Sequence, residues 1–209
     1  MEDNKTVAFC GSGSGKKGEV VYGAMSETAA ILAMRGIHIY TGAYGGSGME
    51  APALGATEAG GTCTGFTLWG MPGNDFLTKQ VNCDTLQQFL LSRKNAINSN
   101  TKLSDEVAFG ARLGHLLEAD DFVFGAEGSQ GTGVEFLTYV NLMAKRWLKN
   151  GIEKRAALLC PPDSKGPWGE TMLSTFRGWG WLPQEVEPFI RVVETPLRAA
   201  DWVMRSFHQ

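Results

Sequence analysis

Short continuous apolar runs alternate along this chain with longer stretches in which apolar residues recur every three or four positions. Glycine-rich segments separate the two. Thr6 to Cys10 is a β-type run that stops at Gly11-Ser12-Gly13-Ser14-Gly15. From about Glu19 to Arg35 the pattern turns helical: Val21, Met25, Ala29 and Leu32 share one face, and Gly36 supplies a stop. Ile37 to Thr41 reads as a second strand, followed by the glycine cluster from Gly42 to Gly48, a short helix over Met49–Glu58 and a third strand over Thr62–Trp69.

The pattern weakens between 70 and 104, where a turn at Met71–Asp75, a helix over Thr85–Ile97 and an exposed loop at Asn98–Thr101 are expected. It returns with a helix from Ser104 to Glu118, a strand over Asp121–Ala126 and a third glycine loop, Gly128-Ser129-Gln130-Gly131. That loop opens a helix in which Phe136, Val140, Met143, Ala144 and Trp147 keep helical period until Asn150-Gly151. Arg155–Cys160 is a strand broken by Pro161-Pro162. A helix near Trp168–Trp179, a strand over Phe189–Val193 and a final helix from Pro196 complete the order.

Alternating strands and helices make a parallel sheet with right-handed crossovers the economical topology. The expected fold is α/β, a Rossmann-like doubly wound parallel sheet, with residues 1–209 as a single domain. Ligands in such sheets bind beyond the C-terminal ends of the strands. All three glycine loops follow strands, so one edge of the sheet should carry them together.

Composition narrows the function. Apolar residues are 43% and charged residues 20% of the chain, an ordinary globular balance. Glycine, at 27 of 209 residues, is about twice its usual ~7% share, as expected where backbone passes close to something. The formal charge of −3 argues against a nucleic-acid or acidic-membrane footprint. No apolar stretch reaches the roughly 18–20 residues of a membrane helix. The polar start, Met1-Glu2-Asp3-Asn4-Lys5, leads into a strand, so no signal peptide is expected and a cytoplasmic location is. Cys10, Cys63, Cys83 and Cys160 lack metal or disulfide spacing and read as structural free thiols.

Two familiar phosphate motifs fail at the first loop. Gly13 to Gly18 spells GxGxxG, but the following strand ends Tyr40-Thr41-Gly42, without the acid that would hold a dinucleotide ribose. Gly11 to Lys17 is one residue short of a P-loop and has lysine where the magnesium-binding hydroxyl belongs. The third loop, Glu127 to Glu135, places glycines and Thr132 at a helix N-terminus, where free backbone N–H groups attract anions. Glu135 lies one turn into that helix. From spacing alone it is either half of a capping box, Thr132-x-x-Glu135, or a carboxylate looking back at a ligand.

Four stretches resemble the Lonely Guy family of nucleoside 5′-monophosphate phosphoribohydrolases, often labelled lysine decarboxylases. Val7 to Gly15 resembles that family's opening strand and FCGSSSG loop, and Tyr40 to Ala51 its second glycine loop. Glu127 to Glu135 is similar to its PGGxGTxxE signature, and Ala157-Leu158-Leu159, Trp168, Gly180 and Val192 to Pro196 follow its ending. The resemblance implies a catalytic pair, Glu135 and an arginine before the fourth strand. Arg112 is the first choice for that arginine and Arg93 the alternative. It also implies a homodimer or higher homo-oligomer. Two departures bear on the ligand: Glu127 and Ser129 replace the family's Pro and second Gly. A decarboxylase reading has no marked pyridoxal lysine to support it.

The expected function is hydrolysis of the N-glycosidic bond of a nucleoside 5′-monophosphate, with no metal and no cofactor. Phosphate would be held by Gly128, Ser129, Gln130, Gly131 and Thr132, with Gly11, Ser12, Gly45 and Gly46 opposite. Arg112 would orient the substrate, and Glu135 would bind ribose hydroxyls, stabilise the oxocarbenium-like transition state or activate water. The rival is a non-catalytic carrier of a nucleotide or a phosphorylated, molybdopterin-like cofactor. Either way the partner is a small nucleotide-like molecule, not a nucleic acid or a membrane.

Overall fold

A strand covered by helices on both faces has no solvent side, so every position must tolerate burial. The central strands obey this: Val7 to Cys10 and Asp121 to Gly125 are buried throughout. The computed structural model describes residues 5–84, 103–164 and 168–205. Seven strands form one parallel sheet: β1 (Thr6–Cys10), β2 (His38–Thr41), β3 (Cys63–Thr67), β4 (Lys79–Asn82), β5 (Asp121–Gly125), β6 (Ala156–Leu159) and β7 (Ile190–Val193). Their spatial order is β4-β3-β2-β1-β5-β6-β7. Among the described residues the helices are α1 (Val20–Met34), α2 (Glu50–Glu58), α3 (Asp105–Leu117), α4 (Gln130–Leu142), α5 (Trp168–Gly178) and α6 (Pro196–Met204). The doubly wound α/β sheet expected from the sequence is therefore what the chain forms.

Alternation along the strands sorts the side chains into two cores. Val7, Phe9, Ile39, Val123 and Ala157 pack under α1, α2 and α6. Ala8, Cys10, Phe66, Phe122, Phe124 and Leu158 pack under α3, α4 and α5. Each large side chain fully removed from water contributes roughly 1.5–3 kcal/mol. Strand order reverses between β1 and β5, so the crevice of this sheet lies above their C-terminal ends.

Two elements differ from the expected pattern. β4 was hidden in the sequence because Lys79-Gln80-Val81-Asn82 has one apolar residue, as suits an edge strand that meets water. The single helix expected up to Asn150 is α4 followed by a π-helical turn at Met143–Trp147 and a 3₁₀ turn at Leu148–Asn150, with the stop at Gly151 as anticipated. The helix expected over Thr85–Ile97 lies outside the described residues, as does Arg93. Among the described residues no helix is long and apolar enough to cross a membrane, and all four cysteines are free.

The end of α3, the helix that carries Arg112, is fastened by a lysine far away in sequence. The Lys154 ammonium donates to the carbonyls of Leu117 at 3.2 Å, Glu118 at 3.3 Å and Ala119, and sits 4.6 Å from the Trp147 ring centroid. Burial lowers its pKa, and the helix-end carbonyls are the acceptors a cation satisfies best. Lys154→Met should therefore lower the unfolding free energy by ~1–3 kcal/mol in urea titrations, because carbonyls lose their donor. Lys149→Met, at an exposed position, should stay within ~0.5 kcal/mol. Equal effects at the two sites would contradict the anchoring role.

Candidate functional site

The loops after β1 and β2 are built against each other. Gly48 N–H donates to Ser12 O at 3.0 Å, and a Cβ on Gly48 would fall inside the backbone of Gly11. Glycine is thus required at this crossing by contact rather than by flexibility. Ser12 is buried beneath the loop, with its Oγ 2.8 Å from Ser14 Oγ and accepting Ser14 N–H at 3.1 Å. In the second loop Gly46 has φ 93° and is itself buried. Gly46 O accepts from Glu50 N–H at 3.0 Å and Ala51 N–H at 3.2 Å, so the start of α2 satisfies its donors internally. Gly46 braces the first loop, since a Cβ there would meet the backbone of Ser12 and Gly13; neither it nor Gly45 lines the crevice described below.

The third loop follows β5. Ser129 N–H donates to Thr132 Oγ1 at 3.2 Å, within a reciprocal capping box in which the Ser129 side chain accepts from Thr132 N–H. The cap at this helix is therefore Ser129 with Thr132, and Glu135 has no part in it. The N–H groups of Gln130 and Gly131, in the first turn of α4, are those that helix geometry leaves without intrahelical acceptors. Both residues are exposed, whereas Thr132 is buried. Gly128 admits the Trp168 ring: a Cβ there would stand 2.5 Å from Trp168 Cζ2.

Glu135 and Arg112 meet on the α3–α4 side of the sheet, around Cys10. The Cys10 thiol lies near enough to the Glu135 carboxylate for each to shift the other's pKa, and the Arg112 guanidinium acts on both groups. Desolvation pushes the Glu135 pKa up to about 7, with Arg112 and Cys10 pulling the other way. Although part of the residue meets solvent, its carboxyl is enclosed. Burial, reinforced by the Glu135 charge, raises the Cys10 pKa and keeps the thiol protonated. Arg112 is only 9% exposed. Its Nε donates to Phe66 O and its Nη2 to Gly42 O, both at 2.9 Å, so it ties the ends of β2 and β3 to α3. His115, one turn further along, stacks on Phe66 with centroids 5.3 Å apart. Its Nε2 is buried without a hydrogen-bond partner.

A cleft of about 760 Å³ opens at the β1–β5 reversal. Ser12, Ser14, Gly15 and Glu19 form one side, and Ala126, Glu127 and Gly128 the floor beside it. The remaining wall is one stripe of α5 and its end: Trp168, Thr171, Met172, Thr175, Phe176 and Trp179. Glu135 and Arg112 are not among its lining residues. A second cavity of about 790 Å³ lies at the far edge of the sheet between β7 and α6, where Arg191, Arg198 and Arg205 mix with Glu170, Glu194 and Asp201. The cleft at the reversal is the stronger candidate despite similar volume, because strand order places it where two adjacent loops diverge.

Of the residues expected to bind ligand, the structure thus gathers Ser12 and Gly128 in the cleft. Gly11 and Gly46 serve the brace, Gly45 lies outside the cleft, and Ser129, Gln130, Gly131 and Thr132 form the adjoining helix start. The α5 wall was missed as a site element. Its signal was present: the six lining residues from Trp168 to Trp179 follow i, i+3, i+4, i+7, i+8, i+11, a single helical face. Among the described residues no group of three or more His, Cys, Asp or Glu side chains is arranged to hold a metal ion.

No protein-family model matches the chain, and no curated protein matches it. Solved structures do. The chain is similar to the molybdenum cofactor carrier protein of Chlamydomonas reinhardtii, with 16% identity over 99% of each chain and a TM-score of 0.60. It is also similar to a molybdenum cofactor binding protein from Rippkaea orientalis, with 14% identity over 100% of each chain and a TM-score of 0.61. A structural-genomics protein designated TM1055 shares 20% identity over 97% of this chain and 99% of its own, with a TM-score of 0.62. At these identities the likeness establishes the fold.

The raised Glu135 pKa has a consequence for stability. Between the ordinary value of 4.5 and about 7, the folded chain holds a proton that the unfolded chain has released. Stability therefore falls as pH rises through that window and levels off above it. From about pH 5 to about pH 8, the wild type should lose on the order of 1–3 kcal/mol relative to Glu135→Gln, read from paired urea titrations. Parallel pH curves would show that the carboxyl is not desolvated as described.

Proposed function

We propose that this chain is a binding protein for a phosphorylated, nucleotide-type small molecule, held at the β1–β5 reversal and handed on unaltered. The observation that carries this reading is the direction of the two expected catalytic groups. Arg112 is engaged with the Gly42 and Phe66 carbonyls and the Glu135 carboxyl is enclosed near Cys10, while the open cleft is lined by other residues. The first-turn N–H groups of Gln130 and Gly131, beside Gly128 at the edge of the cleft, are the phosphate donors in this reading. The structural likeness to a molybdenum cofactor carrier and a molybdenum cofactor binding protein over nearly the full chain supports a carrier of the same general kind.

Hydrolysis of an N-glycosidic bond is the second reading, favoured by one observation. A carboxyl whose pKa stands near 7 beside a guanidinium can exchange a proton at neutral pH, as protonation of a leaving base or activation of water requires. To act, Glu135 would leave Cys10 and turn to the ribose, and Arg112 would release at least one carbonyl.

One experiment separates the two. Purified chain and its Glu135→Ala variant are incubated with nucleoside 5′-monophosphates, with free base followed by chromatography and thermal unfolding recorded in parallel. The carrier reading predicts stabilisation by a subset of ligands, ~2.7 kcal/mol at a hundredfold excess over Kd, and no base release. Base release by the wild type that is lost in Glu135→Ala would replace it with the hydrolase. Neither stabilisation nor release would remove nucleotides as the ligand class.

A further inference from the structure

The lining of the 760 Å³ cleft is unusual for a phosphate pocket. Among the described residues that form it, none is lysine or arginine, and two, Glu19 and Glu127, are acidic. One wall is aromatic. The Trp168 ring packs against Gly128, and Trp179 is 61% exposed with its ring 4.7 Å from that of Trp181. A large indole open to solvent at the mouth of a cleft offers a flat apolar face for stacking. Glu19 already has a partner, since its Oε2 accepts Lys16 N–H at 2.9 Å. Glu127 is half-buried in the loop that turns from β5 into the start of α4.

Phosphate is repelled by such a lining, and a flat heterocycle is not. A carboxylate has two parallel acceptor oxygens, which match two adjacent N–H donors on the edge of a ring. A ring that instead presents a bare acceptor nitrogen beside its amino group leaves one oxygen facing a lone pair. We infer that the cleft is the ring subsite of the ligand and selects a planar heterocycle whose edge carries an amino group next to a ring N–H, as guanine-type and pterin-type rings do. The ring stacks on Trp179, the Glu127 carboxylate accepts both N–H groups, and the phosphate lies outward, at the start of α4. This rests on the binding reading above and adds which ring is taken. It also assigns a role to Glu127 that a phosphate-only site would leave as a liability.

The test compares three ligands that differ only at that edge, by calorimetry and by quenching of tryptophan fluorescence. Guanosine 5′-monophosphate presents both donors, inosine 5′-monophosphate keeps the ring N–H alone, and adenosine 5′-monophosphate has no ring N–H there. The wild type should bind the guanine nucleotide about tenfold or more tightly than the inosine nucleotide, a typical cost for one unmatched donor at a partly buried charge. Glu127→Gln, nearly isosteric and half-exposed, should erase most of that ratio. Trp179→Ala should weaken all three by about tenfold while leaving affinity for ribose 5-phosphate unchanged. Equal binding of guanine and inosine nucleotides by the wild type, or a ratio that survives Glu127→Gln, overturns the ring assignment and leaves nucleotide binding standing. A wild type that binds none of the three overturns both.

Discussion

The C-terminal edge of this sheet depends on one contact, the crossing of Gly11 against Gly48. Two backbones can approach this closely only where both residues lack side chains, and the Gly48 N–H to Ser12 carbonyl bond fixes their register. With Ser12 held below and Ser14 hydrogen-bonded to it, the loop after β1 turns its hydroxyl face toward the loop after β5. The second glycine loop is therefore a brace for the first. Part of the glycine excess is explained here, as the means by which one strand end is locked to its neighbour.

Two charged layers sit on this frame, with different roles. Inside, Arg112 holds the ends of β2 and β3 through two carbonyls, and its charge eases the burial of Glu135 without restoring an ordinary pKa. Outside, Glu127 and Glu19 leave the cleft acidic where a phosphate loop would be neutral or basic. The acidic, aromatic-walled cleft suits a ligand that is flat and rich in donors at one end and anionic at the other.

Much of the fold was legible because parallel strands buried on both faces read as continuous apolar runs, and Val7–Cys10, Phe122–Phe124 and Ala156–Leu159 are such runs. β4 was not, since an edge strand needs no apolar pattern. The site was legible to a lesser degree. Glycine clusters announced which strand ends mattered, but spacing could not tell a donor from a brace, and Gly46 belongs to the second kind. Nor could it separate the two meanings of Glu135 until Ser129 and Thr132 were seen to cap the helix between themselves. The α5 stripe from Trp168 to Trp179 carried its signal in helical period, which also fits a plain core face. Only the cleft beside it distinguishes the two.

Hydrogen–deuterium exchange with and without guanosine 5′-monophosphate tests the location of the site most directly, because slowed exchange marks the backbone that a ligand covers. The account predicts protection in the loop Gly11–Gly15, in residues 126–131 and along the first turns of α5, with the β7–α6 edge unchanged. Protection centred on Arg191, Arg198 and Arg205 instead, with the two loops unaffected, would contradict it and move the ligand to the far edge of the sheet.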